Sequence, residues 1–181
     1  MSNYRRSRVA GASYFFTVTL ENRATALLQE RIDALRQAFA QTRRELPFSI
    51  DAIVVLPDHL HCIWTLPEGD ADYPVRWQRI KGRFSRACPK GESVSLSRGS
   101  KRERGIWHRR YWEHLLRDER DYAAHVDYIH YNPVKHGHVA QVRDWPHSSF
   151  HRYVREQQLA ADWAGTLETR SGRDRDNFGE L

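Results

Sequence analysis

Apolar residues recur along this chain at two periods, and the period predicts the element. Residues 13–20 (SYFFTVTL) are aromatic and β-branched, which predicts a strand. Over residues 26–45 the apolar side chains fall at Leu28, Ile32, Leu35 and Phe39, the spacing of one helical face, and Pro47 follows the end. Residues 49–56 (SIDAIVVL) read as a strand buried on both faces toward its end. Pro57-Asp58 makes a tight turn, residues 59–66 (HLHCIWTL) read as the antiparallel return strand, and a PEGD loop at 67–70 closes it. Asp72 and Pro74 mark a helix start. In that helix Trp77, Ile80, Phe84 and Ala87 form a packing stripe, with Arg76, Arg79, Arg83 and Arg86 forming a basic stripe beside it. Residues 88–105 have no periodicity and are rich in Gly, Ser and basic residues, which predicts a mobile loop. Residues 106–116 contain a further strand. Residues 117–131 read as a helix ended by Asn132-Pro133 and Gly137, and 145–155 as a short helix. The order is strand, helix, strand, strand, helix, strand, helix, with one clear antiparallel hairpin. It predicts an α+β fold with helices on one or both faces of a mainly antiparallel sheet.

Composition narrows the class. With 181 residues, one domain with appendages is expected, and 12% aromatic residues are ample for a core. No apolar run approaches the ~20 residues of a membrane helix. No apolar stretch long enough for a secretory signal follows the early arginines, and Cys62 and Cys88 do not make a disulfide scaffold, so a cytoplasmic protein is expected. The charge is more telling. From Arg76 to Arg110 there are twelve basic residues and two acids, or +10, whereas the rest of the chain holds 17 basic and 21 acidic residues, or −4. Trp77, Phe84, Trp107, Tyr111 and Trp112 interleave with these charges, a pairing of phosphate and base-stacking groups that points to nucleic acid rather than a merely solvated basic surface.

Two segments carry candidate chemistry. His59 and His61 lie two apart on a strand and share a face, about 6–7 Å apart by the ~3.3 Å rise per residue. Two imidazoles so placed can converge on a metal ion, although a lone His-x-His is more often two histidines on a solvated face. A structural zinc site of His59, His61 and Cys62 is disfavoured because Cys62 points to the opposite face. In DYAAHVDYIHYNP, Tyr122, Val126 and Ile129 form a packing stripe, while Asp121, His125, Tyr128 and Asn132 follow a neighbouring face. Taken alone, Tyr128 reads as a core-edge residue and Asn132 as a helix cap.

Together the segments are far more specific. A hydrophobic strand, His-hydrophobic-His and a later helix with Tyr-x-x-x-Asn resemble the HUH single-strand DNA transferases. VVLPDHLHCIWTLPEGD (54–70), YWEHLLRDERDYAAHVDYIHYNPVKHGHV (111–139) and DWPHSSFHRYV (144–154), preceded by NYRR (3–6) and YFFTVTL, resemble the REP-associated tyrosine transposases. The resemblance covers roughly residues 4–165. It implies a ferredoxin-like or RRM-like antiparallel sheet with packed helices, in one HUH transposase domain over residues 1–165 and a polar tail over 166–181. The 88–105 segment departs from the family in its length.

The resemblance also implies roles by residue. His59 and His61 match the divalent-metal ligands, Asn132 matches a third ligand, and Tyr128 matches the nucleophile. The cofactor expected is Mg²⁺ or Mn²⁺, and the reaction is cleavage and rejoining of single-stranded DNA at REP hairpins through a 5′-phosphotyrosine. His125, His130 and His136 are candidates for proton transfer, with phosphate or solvent contact the plainer reading. Arg5, Arg6, Arg76, Arg79, Arg83, Arg86, Arg109 and Arg110 are expected to hold phosphates, and Tyr4 and Trp112 to meet bases. The partner expected is single-stranded DNA carrying a REP hairpin and an adjacent tetranucleotide. The protein is expected to act on the nucleoid without a membrane, as a monomer or, by the alternative, a dimer. The competing function is a single-strand-binding module without chemistry.

Overall fold

The computed structural model describes residues 7–90 and 104–163. Tyr4, Arg5, Arg6, most of the predicted 88–105 loop and the whole 166–181 tail therefore lie outside the described residues. Four strands, β1 (Ser13–Thr19), β2 (Ser49–Val55), β3 (His59–Thr65) and β4 (Trp112–Leu115), form one sheet in the order β2-β3-β1-β4. Every neighbouring pair is antiparallel. Helices α1 (Leu27–Glu30) and α2 (Ile32–Glu45) link β1 to β2, and α3 (Tyr73–Ala87) precedes β4. This is the ferredoxin-like arrangement that the resemblance implies. A third layer is added by α4 (Glu119–Lys135), and α5 (Phe150–Arg155) follows near the end.

Period-two alternation divides the sheet between two cores. Tyr14, Phe16 and Val18 of β1 join Leu60, Cys62 and Trp64 of β3 beneath α2 and α3, where Trp64 and Trp77 stack at 4.2 Å and 20°. Phe15 of β1, Ile63 of β3 and Ala52 and Val54 of β2 face the other way and pack against Val126, Tyr128 and Ile129 of α4. His59 and His61 therefore sit under α4, whereas Cys62 is buried on the opposite face, which removes it from any shared metal site.

Three boundaries differ from the sequence expectation. The helix predicted over 26–45 breaks at Arg31, where the first piece is held by the Leu28 N–H donating to the Pro57 carbonyl at 3.1 Å. Helix α4 does not end at Asn132-Pro133 but runs to Lys135 with Pro133 inside it. Its stop is Gly137, at φ +71°, with N–H bonds from Gly137 to the Val134 carbonyl (2.9 Å) and from His138 to the Pro133 carbonyl (2.9 Å), a Schellman cap. Within 106–116 only Trp112–Leu115 forms a strand. Trp107 makes an isolated bridge to Leu20, and Arg109 and Arg110 lie exposed between the two pairings.

The edge of β2 is covered by residues 147–153. The Val55 N–H donates to the His147 carbonyl (2.9 Å), the Ser149 N–H to the Ile53 carbonyl (2.8 Å) and the Ile53 N–H to Ser149 Oγ (2.9 Å), while Arg152 donates to the Ile50 carbonyl (3.1 Å) and to the Asp51 carbonyl. The DWPHSSFHRYV stretch thus satisfies backbone groups that an open edge would leave to aggregation.

The arginine stripe of α3 is corrected in part. Arg76 is 1% exposed and gives its guanidinium to Asp70 (3.0 and 2.7 Å) and to the Pro47 carbonyl (2.8 Å). It closes the core rather than a phosphate contact. Arg79 and Arg83 both bond Glu45 of α2 (2.5 and 2.6 Å), and Arg83 also bonds Thr42. Of the four, Arg79 and Arg86 are exposed, and Arg79 is tied to Glu45. The stripe lies on the layer opposite the histidine pair because its packing neighbours face α2. Replacing Arg76 with Met is expected to cost about 3 kcal/mol of folding stability, since it leaves Asp70 and the Pro47 carbonyl without their donor. Hairpin affinity of the folded variant should be unchanged. Urea unfolding and a binding titration read the two quantities separately.

Candidate functional site

The site is built on β3, and its orientation comes from the strands on either side. Thr17 of β1 pairs directly with His61, and its Oγ1 lies 2.9 Å from His61 Nδ1. That bond leaves Nε2 as the free-standing ring nitrogen, a fully buried atom with no hydrogen-bond partner among the described residues. His59 is held from its own turn: Asp58 Oδ1 is 2.7 Å from His59 Nδ1, and Arg23 Nε donates to Asp58 Oδ2 at 2.8 Å. A carboxylate on the far nitrogen is the usual way to orient a ligating imidazole. Burial would raise the Asp58 carboxyl, but the hydrogen bonds and charges of His59 and Arg23 outweigh it and hold it below the usual carboxylate range. His61 is pushed well below its ordinary value, first by burial and then by the charges of His59, His136, Lys135 and Arg23, so it is neutral and able to ligate.

Helix α4 brings the second half. The Tyr128 ring meets the His61 ring edge-on, with centroids 5.2 Å apart, and Phe15 touches both, stacked on His61 at 5.6 Å and edge-to-face with Tyr128 at 6.0 Å. Two turns on, the exposed His136 ring lies 5.4 Å from His59. Asn132 is midway between them on the same face. It is fully buried, and neither its Oδ1 nor its Nδ2 has a hydrogen-bond partner among the described residues. A buried amide without partners costs on the order of 1–3 kcal/mol, and a bound ligand would recover it. Two neutral imidazoles and an amide oxygen suit a divalent cation that keeps open positions.

The remaining candidates separate clearly. His130 faces away from the pair. Its Nε2 lies 2.9 Å from Ser149 Oγ, its ring meets Tyr153 at 4.7 Å, and burial with the charges of Arg152 and His151 pushes it down to about 4. It is a core histidine. Trp112, 36% exposed, pairs with Thr17 across the sheet, so His61, Thr17 and Trp112 form one row on one face. Strand spacing of ~4.8 Å puts Trp112 about 10 Å from His61. Of the expected nucleic-acid contacts, Trp112 therefore lies toward the site, and Arg109 and Arg110 are exposed shortly before it in the chain. Sequence reasoning missed Asp58, Thr17 and Phe15. Asp58 was detectable as a carboxylate directly before the first histidine; Thr17 and Phe15 depend on register.

A second trio, His114, Asp121 and His125, has its ligating atoms within 4.8 Å of one another. The two rings are stacked at 4.8 Å and 15°, His114 Nε2 is 2.9 Å from Asp121 Oδ2, and His125 Nδ1 is 3.3 Å from Oδ1 and 2.7 Å from the Asp121 carbonyl. Parallel rings aimed at one carboxylate form a hydrogen-bonded clamp, because converging metal ligands would have to splay apart. Burial raises Asp121, but bonds from His114 and Arg117 win and bring it down to about 2. A carboxyl depressed below its ordinary ~3.9 stabilises the fold above that pH, and the contribution is lost as pH falls toward the folded value. Asp121→Asn should lower stability by about 2 kcal/mol at pH 7 and should converge with the wild type near pH 2. Urea unfolding across that range reads this.

No family model matches the chain. Among curated proteins it is 49% identical over 175 residues to a REP-associated tyrosine transposase of Escherichia coli K12, covering 97% of this chain and 98% of that one. A relative in Haemophilus influenzae is 48% identical over 166 residues, 91% of this chain and 94% of its own. Among solved structures, a REP-associated tyrosine transposase bound to a REP hairpin aligns with a TM-score of 0.79 and 48% identity, covering 91% of this chain and 92% of that chain.

Proposed function

Because the chain belongs to the REP-associated tyrosine transposases, we propose that it cleaves and rejoins single-stranded DNA at REP hairpins, with Tyr128 as nucleophile and His59, His61 and Asn132 as ligands of Mg²⁺ or Mn²⁺. The observation that carries this reading is the Tyr128 ring lying against His61 beside the buried, unpartnered His61 Nε2 and Asn132 amide. When bound, the cation supplies positive charge at the scissile phosphate. Tyr128 Oη forms a bond to phosphorus as the bond from phosphorus to the 3′ oxygen breaks. The phenol loses its proton, and the departing 3′ oxygen gains one. The phosphodiester energy stays in the 5′-phosphotyrosine, so attack by a 3′-OH rejoins the strand without ATP.

The protein's own groups prepare that step. Thr17 and Asp58 fix the two imidazoles, and Phe15 keeps the Tyr128 and His61 rings at their separation. Arg109 and Arg110 are assigned to phosphates and Trp112 to a base, next to the hairpin's tetranucleotide. His59, His61 and Tyr128 meet within one chain, with Asn132 one turn on from Tyr128, which supports a monomer as the working unit. No helix among the described residues is long and apolar enough to cross a membrane, in keeping with action on DNA in the cytoplasm. Incubating the wild type with a 3′-labelled single-stranded REP hairpin and Mn²⁺ should give a labelled adduct that survives a denaturing gel and is absent in chelator, because the 5′-phosphotyrosine holds the downstream fragment. Tight binding with no adduct, across several REP sequences, would instead favour a binding module.

A further inference from the structure

Lys135 stands seven residues after Tyr128, two turns along the same face of α4. Its Nζ lies 4.9 Å from the centroid of the Tyr128 ring. The same ammonium bears on His61, so it overlooks the pocket where tyrosine and histidine meet. A cation over a phenol ring gains from the ring's electron density. It gains more as the phenol becomes a phenolate, because the added charge spreads into the ring beneath it. That difference between the two states is what lowers a barrier. Phosphoryl transfer depends almost wholly on positioning and charge stabilisation, and Tyr128, at 2% exposure, has little water to serve instead.

We propose that Lys135 is a catalytic residue whose ammonium stabilises the negative charge on Tyr128 Oη in both directions of transfer. The inference rests on Tyr128 being the nucleophile. In cleavage the Oη–phosphorus bond forms, the bond to the 3′ oxygen breaks, and the phenol proton is lost while the 3′ oxygen gains one. In rejoining the same bonds change in reverse, and Tyr128 Oη leaves as the group that carries charge. Stabilising that oxygen therefore accelerates both directions equally and leaves their equilibrium unchanged. A purely structural lysine, placed at the helix C-terminus to complement its dipole, has no such signature.

The test is single-turnover adduct formation, and rejoining of isolated adduct, with a labelled REP hairpin in Mn²⁺ for wild type, Lys135→Gln, Lys135→Arg and Tyr128→Phe. Hairpin affinity in chelator and melting temperature are measured alongside. Lys135→Gln should slow both directions by about 10²-fold, as losing one charge-stabilising donor does, with affinity and melting temperature unchanged. Lys135→Arg should recover most of the rate. The proposal is overturned by wild-type rates in Lys135→Gln, by an affinity loss large enough to explain the slowing, by slowing in one direction only, or by an Arg variant no better than Gln. Adduct lost in Tyr128→Phe with wild-type rates in Lys135→Gln rejects Lys135 alone. Adduct retained in Tyr128→Phe rejects the nucleophile and the lysine together.

Discussion

Tyr128→Phe abolishes the covalent protein–DNA adduct while hairpin binding and folding persist: this is the expected result with the largest effect. One oxygen is removed and the ring stays, so the contacts with His61 (5.2 Å), Phe15 (6.0 Å) and Lys135 (4.9 Å) are kept. Those contacts are part of the core between the sheet and α4, so a larger truncation would confuse loss of chemistry with loss of packing. Removing the hydroxyl proposed to form the phosphotyrosine should cut the single-turnover rate by at least ~10⁴-fold, the scale seen when a nucleophile is deleted. The measurement is quantified adduct on a denaturing gel, with affinity determined in chelator. Cleavage that survives without adduct would identify water as nucleophile and make the protein a nuclease. The phenylalanine variant's melting temperature should match the wild type's, because a Tyr–Phe exchange in a packed site preserves volume.

His61→Ala is expected to abolish metal-dependent cleavage by a different route. His61 supplies a buried nitrogen with no hydrogen-bond partner among the described residues, on a ring already oriented by Thr17. Its loss should remove more metal affinity than the 10–100-fold typical of losing an outer-shell partner such as Asp58. The clean readout is metal binding itself. Saturating Mn²⁺ at ~100 times its dissociation constant stabilises a protein that binds it when folded by about 2.7 kcal/mol. The wild type should show that rise in melting temperature and His61→Ala should show none, whereas Asp58→Asn should need more metal for the same rise. The alanine variant also starts less stable, because a buried ring stacked on Phe15 at 5.6 Å leaves a cavity. The comparison is therefore the shift on adding metal, not the absolute melting temperature. An equal Mn²⁺ shift in His61→Ala would remove His61 from the ligand set and turn attention to His59 and His136.

Much of this site was legible along the chain because its parts are local. The His59-x-His61 pair needs only strand alternation to share a face, and Tyr128 and Asn132 need only the helical period to lie one turn apart. The hairpin, the α+β order and the basic middle of the chain are likewise properties of neighbouring residues. The arginine stripe shows where local reading stops. Periodicity placed Arg76, Arg79, Arg83 and Arg86 side by side, but which of them met solvent depended on α2 and on Asp70, Glu45 and Thr42, which come from elsewhere in the chain. Pro133 misled for a related reason. A proline disfavours a helix interior by its missing N–H, yet packing against the sheet carried α4 through it to the cap at Gly137.

By itself, then, the sequence determined the element order, the shared face of His59 and His61, the helical phase of Tyr128 and Asn132, and the charge that suits DNA. The tertiary structure alone decided that α4 lies over β3, so that Tyr128 meets His61 and His136 meets His59. It also decided that Thr17 and Asp58 orient the imidazoles, that His130 belongs to the core, and that Lys135 comes over the Tyr128 ring. The physical reason is the range of the determining forces. Dihedral preference and hydrophobic period act over a few residues and are written in order along the chain. Burial, ring contacts and hydrogen-bond satisfaction act between residues brought together only when the two faces of the sheet are covered.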